Sequence, residues 1–226
     1  MSSSSYPSLS FENQLFEAGY DFIVGVDEVG RGALAGPVTV GLAVVSVEQL
    51  RQRPNWPAKL RDSKLISESN RELIFPDVCD WVVAYGVGSA SAQEVDELGI
   101  VRTLALSAER ASQDIIDVSN PGHGVVLLDG SHNWLGSQFM GLQVMVKTKA
   151  DRDCVSVAAA SVIAKVTRDR EMIRLAASDE KVAAFGFDSN KGYASSSHIK
   201  AIQEIGPSEY HRRTWLSKIL DQDTLF

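Results

Sequence analysis

Apolar residues in this chain follow two rhythms. Short, largely β-branched runs at 22–27, 38–45, 81–87, 125–128 and 142–146 read as strands, those at 22–27 and 125–128 as buried ones. Longer stretches with apolar positions three and four apart read as helices. Over 100–116, Val101, Leu104, Leu106, Ala108, Ala111 and Ile115 mostly follow helical spacing, with Arg102, Glu109, Arg110 and Asp114 on the wet face. The segment 154–176 is the most helical of the chain, and Ala158, Ala159, Ala160, Ser161 and Ala164 give it a small-residue face suited to close packing on a sheet.

Punctuation residues divide these elements. The spacing predicts a short helix over 11–19 ending at Gly19, and a helix opened by Ser67 that Pro76 interrupts. Ser91 and Glu94 form a capping-box start for a helix that stops near Gly99, and Asn120-Pro121-Gly122 ends the long one. Strands 22–27 and 38–45 flank a glycine loop, which predicts an antiparallel hairpin with a wide connection. Residues 1–12, rich in serine and unpatterned, are expected to be a flexible tail. No repeat or composition break divides 13–226, so one α/β domain is expected, with 197–226 as its helical C-terminal portion.

Composition alters this picture little: 44% hydrophobic and 23% charged residues are ordinary for a chain that buries a core. Charge constrains more. With 22 basic against 29 acidic side chains the net charge is −7, which argues against nucleic-acid binding through bulk positive charge. A polyanion would have to meet a local patch. Cys79 and Cys154 lie in apolar stretches and are expected as reduced core thiols. No secretory leader is visible at Met1 and no apolar run approaches ~18 residues, so no membrane association and a cytoplasmic location are expected. With no coiled-coil pattern, a monomer is the default.

Candidate chemistry sits where strands end. Asp27 and Glu28 follow the first strand, Asp129 follows the run 125–128, and Asp151 precedes the small-residue helix. One carboxylate past a strand is ordinarily a turn or cap residue. Several together repel unless a cation neutralises them, and carboxylates are the ligands Mg²⁺ and Mn²⁺ prefer. Two such ions could activate a water and stabilise the leaving oxygen of a phosphodiester. A regular strand would point Asp27 and Glu28 to opposite faces, so the backbone is expected to turn there. Otherwise they form a plain acidic turn.

Gly30-Arg31-Gly32 offers backbone amides and a cation to a sugar or phosphate, and Asp62-Ser63-Lys64 a hydroxyl and an ammonium. Lys191-Gly192-Tyr193 sets an aromatic face beside a cation, useful for stacking on a nucleotide, though a half-buried tyrosine is the commoner meaning of such a residue. Arg212-Arg213 reads as a phosphate contact or a surface charge cluster.

The order of these motifs resembles the bacterial ribonuclease HII family. The resemblance is carried by Gly25-Val26-Asp27-Glu28-Val29-Gly30-Arg31-Gly32, Leu34-Ala35-Gly36-Pro37, Asp62-Ser63-Lys64, Leu128-Asp129-Gly130 and Lys149-Ala150-Asp151. It continues through Ala158-Ala159-Ala160-Ser161, Ala164-Lys165-Val166-Thr167-Arg168-Asp169, Lys191-Gly192-Tyr193 and His211-Arg212-Arg213. It implies a ribonuclease H-like fold, with a mixed central sheet flanked by helices and a C-terminal helical segment. The implied activity is cleavage of the RNA strand of RNA–DNA hybrids and nicking beside single ribonucleotides in duplex DNA, with Mn²⁺ or Mg²⁺ as cofactor.

Carried over residue by residue, the metal-binding and catalytic acids are Asp27, Glu28, Asp129 and Asp151, with Asp153 competing for the last place and Asp169 structural. Gly30, Arg31 and Gly32 resemble a loop that senses the ribose 2′-hydroxyl, and Tyr193 a tyrosine that stacks on the adjoining deoxyribose. Ser63, Lys64, Arg212 and Arg213 are the implied phosphate contacts. Ala33 stands where proline is usual, and Ala194-Ser195 where glycine or proline then threonine is typical. Two other readings are ribonuclease HIII, against which Arg31 and the short N-terminus count, and a non-catalytic hybrid-binding module. Recruitment by a replication clamp or a polymerase is left open.

Overall fold

The computed structural model describes residues 6–115 and 122–220. In chain order the elements are α1 (Ser10–Glu17), β1 (Phe22–Val29), β2 (Val38–Ser46), α2 (Val47–Gln52), a 3₁₀ turn (Ser63–Leu65), α3 (Glu68–Trp81), β3 (Ala84–Ala90), α4 (Ala92–Leu98) and α5 (Ile100–Ser112). Then follow β4 (Gly124–Asp129), β5 (Gln138–Phe139), β6 (Leu142–Lys147), α6 (Ala150–Asp153), α7 (Val155–Ala176), α8 (Glu180–Ala183), α9 (Phe187–Asn190), α10 (Ser196–Ile205), a 3₁₀ turn (Arg213–Trp215) and α11 (Ser217–Leu220).

Among the described residues the strands form one mixed sheet in the order β3-β2-β1-β4-β6-β5. β1 pairs antiparallel with β2, as the wide hairpin predicts, and parallel with β4. Side-chain alternation sorts the strands onto two faces. Val24 and Val26 of β1 pack with Val126, Leu128 and the α5 residues Leu104, Ala108 and Ala111. Ile23 packs on the opposite face with Val125, Leu127 and Val157 of α7.

Helix α7 can lie this close because glycines face it. A Cβ on Gly25 would stand 2.5 Å from the Ser156 carbonyl oxygen, and one on Gly41 2.5 Å from that of Ala160. The small-residue face read in the sequence therefore has a matching glycine on each of two adjacent strands, since Gly41 pairs with Asp27, two residues beyond Gly25.

Several sequence expectations shift. Pro76 lies inside α3 and does not interrupt it; it is solvent-exposed, so the carbonyl its ring frees can be hydrated while Ile74, Val78 and Trp81 stay buried. Trp81, placed by the periodicity in a strand, ends α3, and β3 begins at Ala84. The two-residue strand β5 and the single turn α6 were not expected, being too short to show a period. Residues 7–12 are packed rather than tail-like: the Ser8 N–H bonds the Asp153 carbonyl at 3.0 Å, and buried Glu12 accepts from the N–H and hydroxyl of Ser156, both at 2.9 Å. Residues 1–5 of the expected tail, and 116–121 where the long helix was expected to end, lie outside the described residues.

Candidate active site

Strand register assembles the acids. β1 and β4 pair in parallel up to Val26 opposite Leu128, so the next residue of each, Asp27 and Asp129, projects toward α7 where that pairing ends. The single turn α6 then carries Asp151 in, its N–H donating to Asp129 Oδ1 at 3.3 Å. Asp153, its competitor, bonds Lys147 and is half exposed. The turn buries Asp151 and leaves Asp153 outward.

The backbone departure expected at Asp27-Glu28 does not occur. β1 stays in register with β2 through Val29, opposite Thr39. What opens the site is the end of the β4 pairing at Val26, which frees one side of β1 just where the acids begin. Glu28 begins on the other face of β1, yet it lines the same cleft as Asp27, meets Arg31 Nη1 at 3.3 Å and feels the charges of Asp129 and Lys64.

Electrostatics mark the cluster. Burial pushes the Asp27 carboxyl well above its ordinary range and the neighbouring Glu28 charge adds to this, with Lys64 and the Ser161 hydroxyl opposing. Burial likewise raises Asp151, reinforced by Asp129 and Asp62. Lys64 is the counter-charge: burial lowers it, but Asp27, Asp62 and Asp151 together raise it above the usual lysine value. Ser63 is buried with its hydroxyl 2.8 Å from that of Ser161. Asp62, which the sequence reading treated only as part of a loop motif, caps this turn by accepting from the Lys64 N–H at 2.9 Å.

An oxygen-only donor set of four acids, of which Asp27, Glu28 and Asp151 are raised by burial and mutual repulsion, fits a hard divalent cation. As they stand, the described acids do not close into a group of three or more that would hold an ion. Asp151 and Glu28 lean on Lys64 and Arg31 instead.

Beside the acids lies a cleft of about 300 Å³ lined by Asp27, Glu28, Val29, Ser63, Lys64, Lys165 and Tyr193. The tyrosine ring lies 5.8 Å from the Lys165 ammonium and 5.5 Å from the Arg168 guanidinium. Its hydroxyl accepts from the Gly30 N–H at 3.2 Å, joining two motifs 163 positions apart. Gly30 has φ +80°, and a Cβ there would stand 2.1 Å from Arg168 Nε, so only glycine fits. Gly32 has open space beside it.

Arg212 and Arg213 separate. Arg213 is exposed. Arg212 is fully buried and donates to the carbonyls of Arg31 at 2.9 Å, Gly30 at 2.7 Å and Gly36 at 3.2 Å. Its place is beneath the glycine loop, so the expectation of a direct phosphate contact gives way to a loop-holding position. Arg168, missed as a site residue, does the same from α7, on the carbonyls of Pro37, Lys191 and Ala35. Its Thr-Arg-Asp context gave no sign that the guanidinium turns inward. Asp169 pairs with Lys165 and Arg71 within the α7–α3 packing.

A mixed sheet with carboxylates where the pairing of two parallel strands ends, and cations ranged around them, defines a ribonuclease H-like phosphodiester hydrolase. The ribonuclease HII family model matches residues 24–218. A ribonuclease HII from Streptomyces griseus is 46% identical over 193 residues, covering 85% of this chain and 76% of its own. The ribonuclease H2 of Pyrococcus horikoshii superimposes with a TM-score of 0.68 at 27% identity, covering 91% of this chain and 100% of that one. An Archaeoglobus fulgidus ribonuclease HII, solved in a PCNA complex, gives 0.65 at 26%, covering 87% and 96%. The chain belongs to the ribonuclease HII family. It is a metal-dependent ribonuclease with ribonuclease H activity on RNA–DNA hybrids, and the non-catalytic reading falls away.

Proposed function

We propose that this ribonuclease nicks duplex DNA on the 5′ side of an embedded single ribonucleotide as well as cutting the RNA strand of hybrids, and that it serves in ribonucleotide removal and RNA primer processing. The observation that carries this is the bond from Gly30 to Tyr193. It sets the group facing the ribose and the group facing the next sugar at a fixed separation on the cleft that holds Asp27 and Glu28. A rigid pair of contacts suits a junction, where a 2′-hydroxyl is followed by a deoxyribose.

Asp27, Glu28, Asp129 and Asp151 would hold Mg²⁺ or Mn²⁺. Two such ions would supply an activated water and stabilise the leaving 3′ oxygen. Water adds to phosphorus as the bond to the 3′ oxygen breaks, leaving 5′-phosphate and 3′-hydroxyl ends. The loop of Gly30, Arg31 and Gly32 orients the ribose, Tyr193 stacks on the deoxyribose, and Ser63, Lys64 and Arg213 meet phosphates. Arg212 holds the loop.

The deciding experiment is a folded-protein assay with Mg²⁺ or Mn²⁺ on a duplex carrying one ribonucleotide. A nick 5′ to it is expected, and cleavage of long hybrids without that nick refutes the junction reading.

The proposed unit is a monomer with one catalytic domain over 13–226. Its two free thiols agree with a cytoplasmic location, and among the described residues no helix is long and apolar enough to cross a membrane. A replication clamp is the proposed partner, the Archaeoglobus relative having been solved in complex with PCNA.

A further inference from the structure

Behind Tyr193 lies a pair of histidines that the proposed reaction does not use. His198 of α10 and His211 are buried, with their Nε2 atoms 3.0 Å apart. Phe185 and Phe187 enclose them, the Phe185 ring edge-on to His211 at 4.6 Å and the Phe187 ring edge-on to His198 at 5.4 Å. At one end Ser208 sets its N–H 3.0 Å and its hydroxyl 2.9 Å from His211 Nδ1; the hydroxyl turns either way, but the N–H can only donate, so Nδ1 is the acceptor. At the other the Tyr193 carbonyl, which can only accept, stands 2.8 Å from His198 Nδ1. These two ends fix every proton between them. His211 carries its proton on Nε2 and donates it to His198 Nε2; His198 carries its own on Nδ1 and donates it to Tyr193. A proton added to either ring would set two donors face to face.

The relay joins the two segments that grip the glycine loop. The Leu34 and Ala35 N–H groups donate to the Gly192 carbonyl at 2.8 and 3.2 Å, and the Gly36 N–H to the Tyr210 carbonyl at 2.8 Å. The Arg212 N–H returns to the Leu34 carbonyl at 2.8 Å. Tyr193 is thus held at its hydroxyl by Gly30 and at its carbonyl by His198, while His211 ties that hold to the segment carrying Arg212.

We propose that His198 and His211 are positioning residues for specificity: their one-way hydrogen-bond relay sets the height and tilt of Tyr193 against the glycine loop, and so selects single-ribonucleotide junctions over long hybrids. This rests on the junction reading of Tyr193. Glutamine at 211 can place an amide N–H where His211 Nε2–H stands, whereas phenylalanine fills the space and donates nothing.

The test compares His211→Phe, His211→Gln, Tyr193→Ala and the His211→Phe/Tyr193→Ala double variant on a one-ribonucleotide duplex and on a long hybrid. His211→Phe is expected to lower junction nicking about tenfold while hybrid cleavage stays within about twofold, the contribution of one well-placed hydrogen bond. His211→Gln should restore the junction activity to within about threefold, and in the Tyr193→Ala background His211→Phe should change the ratio no further. Equal losses on both substrates, or no loss on either, would overturn the proposal. Should Tyr193→Ala leave the ratio unchanged, the junction reading itself fails. Imidazole ¹⁵N shifts of the unmodified protein then decide the relay alone: Nε2–H on His211 with Nδ1–H on His198 supports it, and any other tautomer pair removes it.

Discussion

The ammonium of Lys64 stands 3.4 Å from Oδ2 of Asp151. It therefore brings positive charge to the acids that the proposed cations would share. Replacing Lys64 with methionine should tighten Mn²⁺ binding by about threefold to tenfold, since a charge a few ångströms from the ion contributes roughly a kcal/mol in a largely solvated setting, while lowering turnover through the lost phosphate contact. Calorimetric Mn²⁺ titration and single-turnover cleavage read the two effects separately, and weaker Mn²⁺ binding would count against the placement of the ions at Asp151.

The adjacent arginines should behave as different kinds of residue. Arg213→Met is expected to weaken duplex binding alike for all sequences and to reduce the slope of log K against log salt by about 1. Arg212→Met should leave that slope unchanged and lower stability by about 2 kcal/mol or more, because three loop carbonyls lose their buried donor. Salt-dependent binding curves and urea unfolding distinguish them.

Gly41→Ala should destabilise the protein by about 1–3 kcal/mol, since the new methyl meets the Ala160 backbone oxygen, which α7 cannot move alone. The site should suffer too, because α7 carries Ser161, which faces Ser63. A urea midpoint equal to that of the wild type would show that the sheet and α7 have room to part.

Acid should loosen the histidine pair. Burial pushes the His211 imidazole down from 6.5 to about 4, with the His198 charge adding to it. Between these values the unfolded chain binds the proton and the folded one does not, so this contribution is complete above pH 6.5 and is lost as pH falls toward 4. Its full size is about 3 kcal/mol. Unfolding curves at pH 7 and 5 should therefore show a steeper loss for the wild type than for His211→Gln, and parallel losses would mean that His211 titrates normally.

Much of this protein is legible along the chain. The strands at the site are unbroken apolar runs, and such a run ends visibly where Asp27-Glu28 or Asp129 begins. The small-residue face of α7 and the Ser91 capping box are likewise local patterns, and the helices formed where those patterns lie. Spacing and residue type suffice because strand and helix periods are properties of a few consecutive residues.

Only the tertiary structure decided how those pieces meet. The parallel register of β1 with β4 aligned Asp27 with Asp129, and the outward turn of Asp153 left Asp151 as the acid facing them. It also sent Arg212 inward and Arg213 outward, though they are neighbours of one type, because the loop carbonyls over Arg212 come from residues some 180 positions away. Burial and partners depend on contacts distant in sequence, which no local period encodes.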